Sequence, residues 1–316
     1  MCQAIYKITR LEENFIYKLM EPFICYHRSK KRDKAPSKPK IKGVLIMKVA
    51  LIQMNATESV PDNQAKALQM CEAAISAGAQ FLCLPEVFQF RKQRVISPIQ
   101  TEAIPGPSTQ PLMALAKQHQ VWILAGSISE QIPGSKKCFN TSILINERGE
   151  ISAQYRKIHL FDVTLETRSI KESGWFEAGD TPVLGQVNGL TLGMSVCYDL
   201  RFSDLYRYYA DKGAQIITVP ASFTSQTGAA HWSVLLRARA IETQCFVLAP
   251  NQIGVGVGDI PIYGHSMVID PWGKVLAEGS ADQEELVMAE LDIDYQAKVR
   301  QSLPSLTHRK KIPESK

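Results

Sequence analysis

The chain has 316 residues, 45% of them hydrophobic and 21% charged, the balance of a soluble globular protein with room for one large α/β domain or two smaller ones. No apolar run approaches the roughly 18 residues of a membrane span. The formal charge of +5 is unevenly placed: residues 1–46 hold 11 Lys and Arg against 4 Asp and Glu, so the remainder carries −2 and shows no nucleic-acid footprint.

Residues 1–46 read as a disordered basic N-terminal extension, because Arg28 to Lys42 (RSKKRDKAPSKPKIK) is cationic and Pro-containing. Glu12, Glu13 and Glu21 argue against a transit peptide. A solvated tail, a nuclear signal and a polyanion-binding arm stay open. Met47 to Met54 is a short apolar strand, and Met47 is a candidate start of the functional protein. Asp62 to Gly78 places Ala65, Leu68, Cys71, Ala74 and Ile75 at helical spacing and closes on Gly78. Gln80 to Leu84 is again a strand, ended by Pro85, which completes a β–α–β unit. A helix over Ser108–Gln120 and a strand over Val121–Ser127 repeat the pattern.

Asn140–Asn146 and Ile151–Tyr155 alternate and flank Glu147-Arg148-Gly149-Glu150, a hairpin signature that recurs at His265–Asp270 and Lys274–Glu278 around Pro271-Trp272-Gly273. Leu190 to Val196 is an apolar run with Gly193 inside it, consistent with a buried strand. Helical character from Asp204 to Lys212, a strand at Ala214–Pro220, a helix at Ala230–Glu242 and a strand at Cys245–Ala249 follow. The two halves have similar order without a short-period repeat, which argues against a solenoid.

Cysteine usage points to a reducing compartment. The seven cysteines (Cys2, Cys25, Cys71, Cys83, Cys138, Cys197, Cys245) are odd in number, mostly in apolar segments, and contain no C-x-x-C pair. Cys197 stands apart, since Tyr198, Asp199 and Arg201 follow it directly between an apolar run and a helix. A strand-to-helix corner presents a nucleophile and offers free N–H groups to an oxyanion, although a lone cysteine is as readily a small core hydrophobe. Glu86, in LCLPEVF, follows a strand-ending Pro among apolar residues. It is either a desolvated general base or an acid in an exposed loop. Lys157, in QYRKIHLFD, is either a solvated turn residue or a cation that stabilises an oxyanion and activates a thiol. The six histidines (His27, His119, His159, His231, His265, His308) form no H-x-x-x-H or H-E-x-x-H pattern. The GVGVG run at Gly254–Gly258 lacks the Lys-Ser/Thr of a phosphate loop and reads as a flexible loop on the substrate side.

Glu, Lys and Cys at three strand ends, in LPEVF, YRKIHLF and CYDLRF, resemble the nitrilase superfamily of carbon–nitrogen hydrolases. The resemblance covers residues 47–309 as one hydrolase domain, with 310–316 a C-terminal tail and 1–46 outside it. It implies a four-layer α-β-β-α sandwich, no metal or organic cofactor, a small-molecule amide substrate, no nucleic-acid or membrane partner, and a homodimer pairing the helix after Cys197 and that at Ala230–Glu242. Carried over by motif, Cys197 is the nucleophile, Glu86 the general base and Lys157 the oxyanion-stabilising cation. Glu172, in IKESGWFEAGD, fits the family's second glutamate better than Glu177 does. Tyr198, Arg201, Phe223 and Thr224 are the candidate substrate-binding residues. Arg201 meets either a substrate carboxylate or a structural partner such as Asp199. Arg237, Arg239 and Glu242 read as a helix-face ion network.

HWSVLLRARAIETQC, YGHSMVIDPWG and the LPSLTHRK ending resemble the nitrilase-homologue amidases, the deaminated-glutathione amidases above all; SDLYRYY after Arg201 departs from the commoner continuation. The expected reaction is hydrolysis of deaminated glutathione to 2-oxoglutarate and cysteinylglycine in the cytoplasm. The alternatives are an ω-amidase on 2-oxo-dicarboxylic acid monoamides, a nitrilase, and a non-catalytic scaffold with a basic arm.

Overall fold

A computed structural model describes residues 45–95, 98–165 and 168–310. The readings of residues 1–44 and 311–316 lie outside the described residues. Strand β1 (Ile46–Gln53) shows how the layers arise. Val49 and Leu51 point one way, Ala50 and Ile52 the other, and all four are fully buried. A strand covered on both faces needs apolar residues at every position, which is why the sequence here does not alternate.

The first sheet has eight strands. β1 pairs in parallel with β2 (Phe81–Cys83), and β2 with β3 (Trp122–Leu124). β4 (Ile128–Gln131), β5 (Cys138–Ile145), β6 (Ile151–Arg156) and β9 (Phe176–Glu177) extend it, with β5 at the centre of that cluster. β16 (Glu285–Asp292) closes the other edge antiparallel to β1, from Ile46–Asp292 to Gln53–Glu285. The second sheet has six strands: β10 (Leu184–Val187), β11 (Leu190–Met194), β12 (Ile216–Thr218), β13 (Phe246–Ala249), β14 (Met267–Ile269) and β15 (Val275–Glu278). Its three central strands are parallel. A separate hairpin joins β7 (Asp162–Leu165) to β8 (Arg168–Lys171).

The sheets pack face to face. Val49, Leu51, Phe81 and Leu144 of the first share one apolar cluster with Leu192, Met194, Ile216 and Val247 of the second. The opposite face of the first sheet, with Ala50, Ile52 and Leu82, is covered by α1 (Val60–Ser76) and α2 (Gln110–His119). The second sheet is covered by α3 (Ser203–Asp211) and α4 (Ser225–Thr243) through Leu205, Tyr206, Tyr209, Trp232 and Leu236. The result is the expected α-β-β-α order. At nine residues α3 is shorter than the roughly 12–15 that an isolated helix needs. Its buried Leu205, Tyr206, Tyr209 and Ala210 hold it, the larger side chains contributing roughly 1.5–3 kcal/mol each. Two glycines set the spacing: a Cβ at Gly185 would meet Leu144 at 2.6 Å, and one at Gly193 would meet the Tyr209 ring at 2.6 Å. The interior glycine of the Cys197 strand is therefore a close approach to α3.

α4 begins at Ser225 rather than at Ala230, because the polar opening turn SQTGA carries no apolar stripe. α5 (Ile293–Ser302) is capped by Asp292, whose carboxylate accepts the Tyr295 N–H at 2.9 Å. A one-turn α6 (Ser305–His308) follows. Among the described residues no helix is long and apolar enough to cross a membrane.

Candidate active site

The chemistry-bearing residues follow strand ends, where parallel α/β sheets leave a crevice. Glu86 comes three residues after β2 ends at Cys83. Its backbone is fixed from two directions: its carbonyl accepts Gln252 Nε2 at 2.9 Å, and the next N–H, of Val87, donates to Ser127 Oγ at 2.9 Å. At Gly126 a Cβ would lie 1.9 Å from the Pro85 carbonyl oxygen, so only glycine lets these chain segments meet. Lys157 follows β6, with its N–H on the Asn140 carbonyl at 2.9 Å.

Cys197 follows β11 and holds φ at +48°, a left-handed conformation that is strained for a residue with a Cβ. Its N–H donates to the Pro220 carbonyl at 2.9 Å. A single 3₁₀ turn over Cys197–Arg201 stands between the strand and α3, so the corner is wider than a direct strand-to-helix junction.

These residues converge in one pocket, lined among others by Glu86, Lys157, Glu172, Cys197, Tyr198 and Phe223. Lys157, 1% exposed, donates to Glu86 Oε1 at 2.9 Å and to Glu172 at 2.9 Å (Oε1) and 2.8 Å (Oε2). Glu86 Oε2 accepts the Ser222 N–H at 2.8 Å, and Glu172 Oε2 accepts the Phe161 N–H at 2.5 Å. The Cys197 thiol lines the same pocket as Glu86, Lys157 and Ser222, near enough for their charges to act on it. Glu86 is thus buried and not in an exposed loop. Its surroundings correct the apolar setting read from LPEVF. Phe88 packs under α1 and α2, and the carboxylate faces Asn140, Lys157 and Ser222.

The charges are mutually dependent. Burial alone would push the Lys157 ammonium down; Glu172, Glu86 and Cys197 outweigh it and hold the group well above its ordinary range. Burial pushes the Cys197 thiol well up, with the Glu86 charge adding and Lys157 and the Ser222 N–H opposing. Burial likewise raises Glu172 against the pull of Lys157. A thiol so placed rests protonated at neutral pH and needs a base in contact with it.

Phe223 and Thr224 also line the pocket. The Phe223 N–H is held by Asn251 Oδ1 at 3.0 Å, and the Thr224 hydroxyl lies 2.8 Å from that of Thr227. Gly256 and Val257, from the GVGVG run, contribute to the same wall. Arg201 does not pair with Asp199. Its guanidinium lies 5.7 Å from the Tyr198 ring centre and 5.3 Å from that of Phe223, with Nη1 3.2 Å from His231 Nδ1. Asp199 is fully buried and committed elsewhere. Oδ2 accepts Tyr155 Oη at 2.7 Å and the Val196 N–H at 2.8 Å; Oδ1 accepts the His159 N–H at 3.0 Å and lies 2.7 Å from His159 Nδ1. It ties the Cys197 turn to the segment carrying Lys157. Arg239 pairs with Glu242 at 2.9 Å, whereas Arg237 donates to the Gly273 carbonyl instead of joining that network. Glu177 pairs with Lys137 at 3.2 Å, away from Lys157.

Sequence reasoning missed Asn140 and Ser222. Asn140 Nδ2 donates to Glu86 at 2.9 Å and to Glu172 at 3.3 Å, holding the two carboxylates on either side of Lys157. The polar run Asn140-Thr141-Ser142 inside a buried strand was its only signal. Ser222 acts through its backbone, which no side-chain pattern reports. Among the described residues no group of three or more His, Cys, Asp or Glu side chains has the arrangement of a metal site.

The carbon–nitrogen hydrolase family model matches residues 48–301. The chain belongs to the carbon–nitrogen hydrolase family. A deaminated glutathione amidase from a Synechocystis species is 39% identical over 264 residues, covering 82% of this chain and 97% of the relative. The Homo sapiens omega-amidase NIT2 is 34% identical over 264 residues, covering 81% and 92%. The crystal structure of Saccharomyces cerevisiae Nit3, a member of branch 10 of the nitrilase superfamily, superposes with a TM-score of 0.72 at 31% identity, covering 82% of this hydrolase and 94% of that chain.

Proposed function

We propose that this carbon–nitrogen hydrolase is an amidase that cleaves a linear amide through a thioester on Cys197, with deaminated glutathione as its substrate and 2-oxoglutarate and cysteinylglycine as products. The observation that carries the reading is a buried ammonium, Lys157, bridging two carboxylates beside a thiol in one pocket. Glu86 takes the Cys197 proton as sulfur attacks the amide carbonyl. The oxyanion is held by the Lys157 ammonium and by the Tyr198 N–H, which has no backbone acceptor among the described residues. Collapse breaks the C–N bond, and Glu86 delivers its proton to the leaving amine. Water then attacks the thioester, Glu86 takes the water's proton, and the acid leaves as the thiol re-forms. Glu172, bound to Lys157 through both oxygens, orients the ammonium.

Tyr198, Phe223 and Thr224 form the substrate wall, with Arg201 packed against two of those rings as a candidate for a substrate carboxylate. The similarity to the omega-amidase supports a second reading, a 2-oxo-dicarboxylic acid monoamide as substrate. Steady-state assays on deaminated glutathione, 2-oxoglutaramate and a simple nitrile decide among these. A kcat/KM highest on deaminated glutathione is expected; turnover of the nitrile alone would overturn the amidase reading.

We further read the enzyme as a homodimer through α3 and α4, which leave Tyr208, Val234 and Ile241 exposed. Sedimentation of a Val234→Glu variant should give the monomer. The free state of all five described cysteines supports a cytoplasmic location.

A further inference from the structure

The wall of the pocket contains a cation with no carboxylate partner among the described residues. Arg91, in the segment after Glu86, is 3% exposed and lines the same pocket as Cys197 and Lys157. One nitrogen, Nη2, donates to Asn55 Oδ1. Nε and Nη1 have no acceptor. Asn55 is itself anchored, its N–H on Glu284 at 2.8 Å and its carbonyl receiving Lys66 at 3.1 Å, so it holds the guanidinium in place without supplying charge. The other buried cations are treated differently: Lys157 has two carboxylates, and Arg239 has Glu242 and the Leu200 carbonyl. Burial with no counter-charge pushes the Arg91 guanidinium down to about 9, which leaves it cationic at neutral pH.

A buried charge whose N–H groups lack acceptors is unfavourable, and an anion that completes them relieves the cost. The other end of the pocket sets the sign of that anion's problem. Glu86 and Glu172 outnumber Lys157, so a substrate carboxylate entering there meets a surplus negative charge and needs a cation away from it. Lys92, on the same wall, lies 4.8 Å from the Trp175 ring centre and adds to the positive field.

We propose that Arg91 is a specificity-determining residue whose unpartnered N–H groups donate charge-assisted hydrogen bonds to a carboxylate of the substrate. The assignment rests on the amidase reading for its substrate class and moves the carboxylate contact from Arg201, which pairs with His231 and two aromatic rings, to a residue of the pocket lining whose buried Nε and Nη1 lack a partner among the described residues.

The test uses the full chain with Arg91→Met and Arg91→Lys. On 2-oxoglutaramate and on butyramide, which lacks the carboxylate, the ratio of the two kcat/KM values should fall about 100-fold in Arg91→Met, mainly through KM, and recover about 10-fold in Arg91→Lys. Equal losses on both amides, or no loss on the charged one, would overturn the proposal. A second readout needs no turnover. Millimolar 2-oxoglutarate should raise the Tm of the wild-type protein and leave that of Arg91→Met unchanged. Without ligand, Arg91→Met should melt at or above wild type, since an unpaired buried charge has been replaced by an apolar side chain. A wild-type protein that hydrolyses neither of these amides nor deaminated glutathione but shows this Arg91-dependent shift would defeat the amidase reading and keep the carboxylate site. An equal shift in both proteins, or none in wild type, would remove the site.

Discussion

The two ends of the pocket hold their charges in opposite ways. At the Cys197 end, each polar side-chain atom of Glu86, Lys157 and Glu172 has a partner, and the backbones beneath them are pinned by Gln252, Ser127 and Asn140. At the Arg91 end, one fixed contact leaves two buried nitrogens open. A reacting centre benefits from groups already placed, because reorganisation during the reaction is avoided. A recognition end benefits from an incomplete hydrogen-bond set, because only the matching ligand completes it.

The largest effect expected on this contrast is at Cys197, the proposed nucleophile. Cys197→Ala should lower turnover by about 10⁴-fold or more while the melting temperature stays near wild type, because Ala keeps the turn and removes only sulfur. Next is Lys157→Met, which leaves two buried carboxylates facing each other. A loss of about 3–5 kcal/mol of stability is expected in denaturant titrations. That loss should shrink as pH is lowered and the carboxylates protonate. The wild-type Lys157 contribution runs the other way. Its ammonium is favoured in the fold above its ordinary range, so that stability is complete below pH about 10.5 and lost only at higher pH.

Asp199→Asn removes the charge that ties the Cys197 turn to Tyr155 and His159 and should cost about 1–3 kcal/mol with a fall in kcat. The smallest effect concerns thiol reactivity. The Glu86 charge holds the Cys197 thiol up, so Glu86→Gln should move the midpoint of its alkylation by iodoacetamide to lower pH, even as amide turnover is lost. An upward move would mean that Glu86 does not face the sulfur.

The sequence made the frame readable wherever one physical signal dominated. Apolar runs closed by Gly78 and Pro85 located β1, α1 and β2 to within a few residues, and the change of character at Cys197 marked the turn that enters the pocket. What stayed hidden depended on distant partners. β16 pairs with β1 from the far end of the chain. Asn140 looks like any strand polar residue until the two carboxylates meet over it. Asp199 seemed available to Arg201 because nothing in CYDLRF shows that Tyr155 and His159 reach it first. Arg91 sits in QFRKQR, where nothing local reports its burial or its contact with Asn55, some 36 residues earlier in the chain.

The most direct measurement is rapid acid quenching of the enzyme during turnover of deaminated glutathione, followed by peptide mass analysis. An oxoglutaryl adduct on the peptide carrying Cys197, absent when Cys197 is replaced by Ala, is the expected result. An adduct on any other residue, or sustained turnover by Cys197→Ala, would contradict the thioester centre.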